Sequence, residues 1–147
     1  MCSSDLFRIF AKEMENAYAS GGGNAIKAFE ATGRAYLSFA RRYPSHYVAM
    51  FESGVSMQNT PALNSASQRA SNVLIKAAVA LSETMPADRR PPPQMFANHV
   101  WAMSHGVVEL FARGTPGAMG PFTAEDLLET GIGVYLRGLG LIAMDKE

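Results

Sequence analysis

Cysteine is almost missing from this chain. There is one in 147 residues, at position 2. A single cysteine excludes an internal disulfide and any multi-thiolate metal cluster. Excess charge of either sign is missing too: 13 basic and 13 acidic residues give a formal net charge of zero. The only basic doublets are Arg41-Arg42 and Arg89-Arg90, and neither sits in a basic stripe. A surface that grips DNA carries a clustered positive footprint, so these residues give no reason to expect nucleic-acid contact. No long hydrophobic run occurs. The longest, GIGVYLRGLGLIAM, is interrupted by Arg137 and is too short for a bilayer core of about 30 Å. No charged-then-apolar leader opens the chain. These absences imply a soluble protein of a reducing compartment, the cytoplasm.

The chain does have apolar residues, at 48% of the total, enough for a real core. They recur with helical period throughout, and no alternating strand pattern of useful length is found. Six helices are expected, at about 6–20, 24–43, 45–53, 61–85, 94–113 and 124–143. Gly21-Gly22-Gly23 stops the first. No Gly-Lys-Ser/Thr follows this triplet, so it reads as a turn and not as a phosphate loop. Asn24 is a candidate N-cap for the second helix. Pro44 ends that helix and can open the next. MPADRRPPP is a connector that cannot be helical inside, and TPGAMGP is a loop. Thr123 with Asp126 forms a candidate capping box for the sixth helix. One all-α domain follows, without repeats.

The first six residues, MCSSDL, read like the translated end of a sequencing adapter. They are expected to be a non-native scar at 1–6, with the domain covering 7–147. A genuine N-terminus is the alternative.

The stretch NHVWAMSHGVVELFARG in the fifth helix holds the sole tryptophan and two of the three histidines. At 100° per residue, Phe96, Val100, Met103, Val107, Leu110 and Phe111 share one side, which Ala97, Trp101 and Val108 widen. The opposite arc carries Asn98, His99, Ala102, His105, Gly106, Glu109 and Arg113. Ala102 and Gly106 are small and one turn apart, so another helix can approach there. In the sixth helix, Leu127, Gly131, Val134, Gly138 and Leu141 form a seam, and Gly133 with Gly140 makes a second small pair. Four glycines suggest close backbone approach, against the alternative of a weak terminal helix. Two such helices from each of two chains would form a four-helix homodimer interface. Ala102, Gly106, Glu109, Leu127, Gly131, Val134, Gly138 and Leu141 are its expected members.

These residues carry a resemblance. VWAMSHGVVELFARG resembles the Trp-x-x-x-His-Gly signature (Trp101, His105, Gly106) of the WHG-type C-terminal domain in tetracycline-repressor-like (TetR) regulators. GRAYLSFARRYPSHYVAMF is similar to that family's aromatic helix running through a proline to a short Tyr/Met/Phe helix. The resemblance covers nearly all of the chain after residue 6. It implies a domain that dimerises through its last two long helices and holds a small effector among the others. It also implies a parent transcriptional regulator, usually a repressor, whose N-terminal helix-turn-helix binds DNA and is missing here.

Tyr36, Phe39, Tyr43, Tyr47, Met50, Phe51, Phe96, His99 and Met103 could line a pocket for an apolar or aromatic effector, since such sites are mostly apolar with a few polar anchors. Ordinary core is the alternative for each. Trp101 is expected as a core anchor, and His105 as a structural or interface residue pointing toward Glu109. His99 is either a polar anchor at the pocket rim or solvated. His46 is either exposed or at the pocket mouth. No metal or cofactor is expected: His99 and His105 do not share a helix face, and no Cys/His cluster exists. Ser104 adjoins His105 in sequence without facing it, and no Gly-x-Ser-x-Gly elbow is present, so no catalytic residue is expected. A ligand-free dimerisation module and a small helical enzyme remain as other readings.

Overall fold

The computed structural model describes residues 3–45, 47, 61–113 and 117–141. Among these residues the regular elements are α1 (Ser3–Ser20), α2 (Ala25–Arg42), α3 (Pro61–Ser82), α4 (Pro93–Arg113) and α5 (Ala124–Gly138), with a 3₁₀ turn at Ala87–Arg89. No strand occurs among the described residues. The chain divides into two compact units, Met1–Ala77 and Ala78–Glu147.

In the first unit, α1 buries Leu6, Phe7, Phe10, Ala11 and Met14, a stripe at helical spacing. The turn after it needs all three glycines. Gly22 and Gly23 have φ of +59° and +86°, the left-handed region that glycine enters without steric cost. Gly21 serves a different purpose: a Cβ there would lie 2.5–2.6 Å from Ala28 Cβ, Cα and N. The chain passes α2 too closely for any side chain. The Asn24 side chain then accepts a hydrogen bond from the Lys27 amide at 3.0 Å, capping α2 as its sequence predicts.

Helix α2 buries Ala28, Phe29, Thr32, Tyr36, Leu37, Phe39 and Ala40. Its one buried hydroxyl near the start, on Thr32, donates to the Ala28 carbonyl at 2.7 Å. Phe10 of α1 meets Phe39 at 4.7 Å and Tyr36 at 5.7 Å between ring centroids. Burying an aromatic side chain of this size stabilises a fold by about 1.5–3 kcal/mol. Ion pairs on the rim tie α1 to its neighbours: Glu13 accepts from Arg42, and Glu15 accepts from Arg69 Nη2 of α3 at 2.9 Å. Lys76 sits 4.8 Å from the centre of the Tyr18 ring.

In the second unit, the end of α3 is closed by side chains. Ser82 donates to the Val79 carbonyl and Thr84 to that of Leu81, while Arg90 donates to Met85 O and Glu83 O. These add to the backbone bonds from Glu83 N–H to Val79 O and from Thr84 N–H to Leu81 O that finish the last turn. Helix α3 thus stops at Ser82, three residues short of the expected 85. Pro93 opens α4, where its missing N–H costs nothing. Thr123 and Asp126 form the full reciprocal capping box at the start of α5.

The other end of α5 corrects an expectation. The helix was expected to run to about residue 143, yet it stops at Gly138. Gly140 has φ +77°. Its N–H donates to Arg137 O, and that of Leu141 to Leu136 O, both at 2.9 Å. This is a Schellman motif, in which a glycine reverses the chain and satisfies the last carbonyls. Gly140 is therefore a terminator and not a packing residue, and Leu141 lies past the helix. The expected short helix at 45–53 lies mostly outside the described residues.

Candidate functional site

Two groups of side chains bear on function, one in each unit. In the first unit, Pro44 ends α2 and the chain turns so that Tyr47 N–H donates to Tyr43 O at 2.8 Å. The Tyr47 ring stands edge-on to Tyr36 at 5.9 Å and 86°, and the two phenol hydroxyls are hydrogen-bonded to each other. Both tyrosines are buried, as are Phe10 and Phe39. Tyr43 adjoins Phe39 at 5.1 Å and carries the Arg42 guanidinium at 5.4 Å from its centroid. Burial and the neighbouring Tyr36 push the Tyr47 phenol far above its ordinary range, so it stays a neutral hydroxyl at any physiological pH.

Four predicted pocket residues (Tyr36, Phe39, Tyr43 and Tyr47) thus share one aromatic cluster, with Phe10 as a fifth member. Phe10 reaches Tyr36 and Phe39 from α1, a meeting that no spacing within one helix records. Met50, Phe51 and His46 lie outside the described residues. The remaining predicted members, Phe96, His99 and Met103, belong to the second unit.

There, α4 packs on α5. Phe96 is buried and stacks on Tyr135 at 5.7 Å and 11°. His99 is exposed, and its Nδ1 is bonded to the Tyr135 hydroxyl at 2.8 Å. Burial lifts the Tyr135 phenol above its usual range. Tyr135 joins the two helices, and sequence reasoning missed it. The available signal was its place one turn beyond Gly131 on the apolar side of the sixth predicted helix. Met103 is half-buried on the same side as Val100 and Val107.

The core face of α4 is Phe96, Ala97, Val100, Ser104 and Val108. Ser104 is accommodated because its hydroxyl donates to the Val100 carbonyl at 2.8 Å. Trp101 was expected as a core anchor and is not one: it is 39% exposed and stacks on His105 at 5.4 Å and 24°. At 100° per residue it falls past the edge of the buried arc. Leu110 and Phe111 also leave the predicted core side, at 51% and 37% exposed. Leu110 lies toward the outer arc, and Phe111 is in the last turn of α4. Burial holds His105 below its ordinary pKa.

Opposite the core, α4 carries a row of exposed Met95, Ala102 and Leu110, with Gly106 and Glu109 half-buried among them. On α5 the corresponding row is Leu127, Gly131, Val134 and Gly138, with Val134 61% exposed. A Cβ added at Gly106, Gly131 or Gly138 would meet nothing within 4 Å. These glycines have no packing duty within the described chain. Among the described residues no group of three or more His, Cys, Asp or Glu could hold a metal ion, and no helix is long and apolar enough to cross a membrane.

An all-α domain whose last two helices pair and carry small residues outward is thus the class this chain defines. Residues 29–135 match the family described as tetracyclin repressor-like, C-terminal domain. The match spans more than half of the chain, and the protein belongs to that family. The narrower WHG resemblance rests on Trp101, His105 and Gly106 together with the stretch at 33–51. Neither the curated proteins nor the solved structures contain a match to the chain.

Proposed function

We propose that this chain is the effector-binding and dimerisation domain of a cytoplasmic transcriptional regulator, a repressor, that reaches DNA through a separate helix-turn-helix module. The observation that carries the reading is the outward face of α4 and α5. Met95, Leu110 and Val134 are apolar and exposed, and the glycines between them face open space. Glycine in a helix interior costs about 1 kcal/mol relative to alanine. That cost is recovered where a second backbone comes close, and a second copy of the same helix pair supplies one with two-fold symmetry.

The effector half of the reading is supported by the aromatic cluster of Phe10, Tyr36, Phe39, Tyr43 and Tyr47, which combines apolar surface with the buried hydroxyl pair of Tyr36 and Tyr47. An effector that binds one dimer geometry better than another shifts the population between them. Moving such an equilibrium from 1:99 to 99:1 takes roughly a 10⁴-fold difference in affinity. The near-complete burial of Phe10, Tyr36, Phe39 and Tyr47 favours a second reading, in which these rings are only core and the domain dimerises without a ligand.

The test is the molar mass in solution by light scattering for the wild type, Gly106→Leu and Gly138→Leu. The expected result is a wild-type dimer and monomeric variants that keep their helical circular dichroism. An unchanged dimer in both variants overturns the interface. A thermal-shift screen with apolar and aromatic compounds then separates the effector reading from the ligand-free one.

A further inference from the structure

We infer that the Tyr36–Tyr47 hydroxyl pair sets the class of effector this domain accepts: an uncharged aromatic or apolar molecule bearing one hydrogen-bonding group, such as a ketone. The inference rests on the effector reading above and adds the ligand's charge and polarity. Among the described residues of the first unit, the buried side chains are apolar except Thr32, Tyr36 and Tyr47. Thr32 is committed to its own helix. The tyrosine pair is therefore the buried polar feature of the aromatic cluster among the described residues.

No charged side chain is buried among the described residues. Arg42, whose guanidinium lies over Tyr43, is exposed and paired with Glu13. An anionic or cationic ligand entering the cluster would lose its hydration and find no buried counter-charge among the described residues. The Tyr47 phenol cannot supply one, since burial and the adjacent Tyr36 oppose its ionisation. A neutral acceptor fares differently. It takes a hydroxyl hydrogen in exchange for the mutual Tyr36–Tyr47 bond, so the number of hydrogen bonds is kept while apolar surface is gained. A hydrocarbon of the same shape breaks the pair and offers nothing back. The bond also links α2 to Tyr47, eleven positions further on and beyond Pro44, so the exchange alters how that residue is held.

The test is a matched set of probes on one scaffold, titrated calorimetrically into the full chain at pH 7: 2-acetylnaphthalene, 2-methylnaphthalene, 2-naphthoate and 2-naphthylmethylammonium. The ketone is expected to bind about tenfold or more tighter than the other three. Tyr36→Phe and Tyr47→Phe are expected to bring it down to the level of the hydrocarbon. Carboxylate or ammonium binding as tight as the ketone overturns this inference and leaves the effector reading standing. So does a ketone preference that survives in both variants. Failure of all four probes to bind overturns the inference together with the effector half of the proposed function, and leaves dimerisation to be judged by light scattering alone.

Discussion

The substitution Gly106→Ala is expected to change sign with protein concentration. In the single chain, a Cβ at position 106 meets nothing within 4 Å, so the methyl group costs nothing sterically. Alanine then gains the helix preference of about 1 kcal/mol over glycine, which for a chain of this size raises the melting temperature by about 2–4 °C. In the proposed dimer the same methyl group projects into the space where the partner helix lies. Overpacking of that kind costs typically 1–3 kcal/mol at each site, and a two-fold dimer contains the site twice. The dimer constant is expected to weaken by at least about tenfold. Calorimetric melting over a hundredfold range of concentration reads both effects: stabilisation when dilute, loss of that gain or net destabilisation when concentrated. Gly33→Ala is the control, because Gly33 lies inside α2 and its Cβ also meets nothing within 4 Å. It should stabilise equally at every concentration. If Gly106→Ala behaves like Gly33→Ala throughout, with the dimer constant unchanged, the surface around Gly106 is not an interface.

Other substitutions test the local structure. Gly21→Ala is expected to destabilise by about 1–3 kcal/mol, because its Cβ would press on the backbone of Ala28; a neutral result in urea melts would refute the close approach. Thr123→Ala removes the cap of α5 and is expected to cost about 1 kcal/mol at neutral pH. The amide and hydroxyl of Thr123 hold the Asp126 carboxyl below its ordinary range, so this support is present at neutral pH and fades in acid as the carboxyl protonates. The difference between wild type and variant should shrink on acidification. For His105, burial holds the folded pKa below the ordinary 6.5. The unfolded chain therefore takes up the proton first, and stability falls as pH drops through 6.5 toward the folded value. His105→Gln should flatten the stability profile between about pH 5 and 7, and an unchanged slope would show that His105 contributes none of it.

What could be read from the chain follows from how local each signal is. The starts of α2 and α5 were legible because a cap acts within one turn: Asn24 on Lys27, Thr123 with Asp126. The end of α5 was not, because glycine serves two purposes that look alike in sequence. Gly138 and Gly140 are two residues apart, yet one is helical and the other carries φ +77°. Trp101 was misplaced because a periodicity argument fixes the centre of a buried arc better than its edges. The His99–Tyr135 bond and the Tyr36–Tyr47 pair were out of reach for another reason. Each joins residues whose meeting depends on the rotation of one segment against another, which no spacing within a single helix records.

The early stop of α5 sets the proportions of the outward face. From Leu127 to Gly138 the row on α5 extends about 16 Å at 1.5 Å per residue, while Met95 to Leu110 on α4 extends about 22 Å. A second copy seated there would grip the longer rail of α4 along its whole length and find α5 only part of the way. Any hinge between two such copies would open at the end where the shorter helix has already turned away.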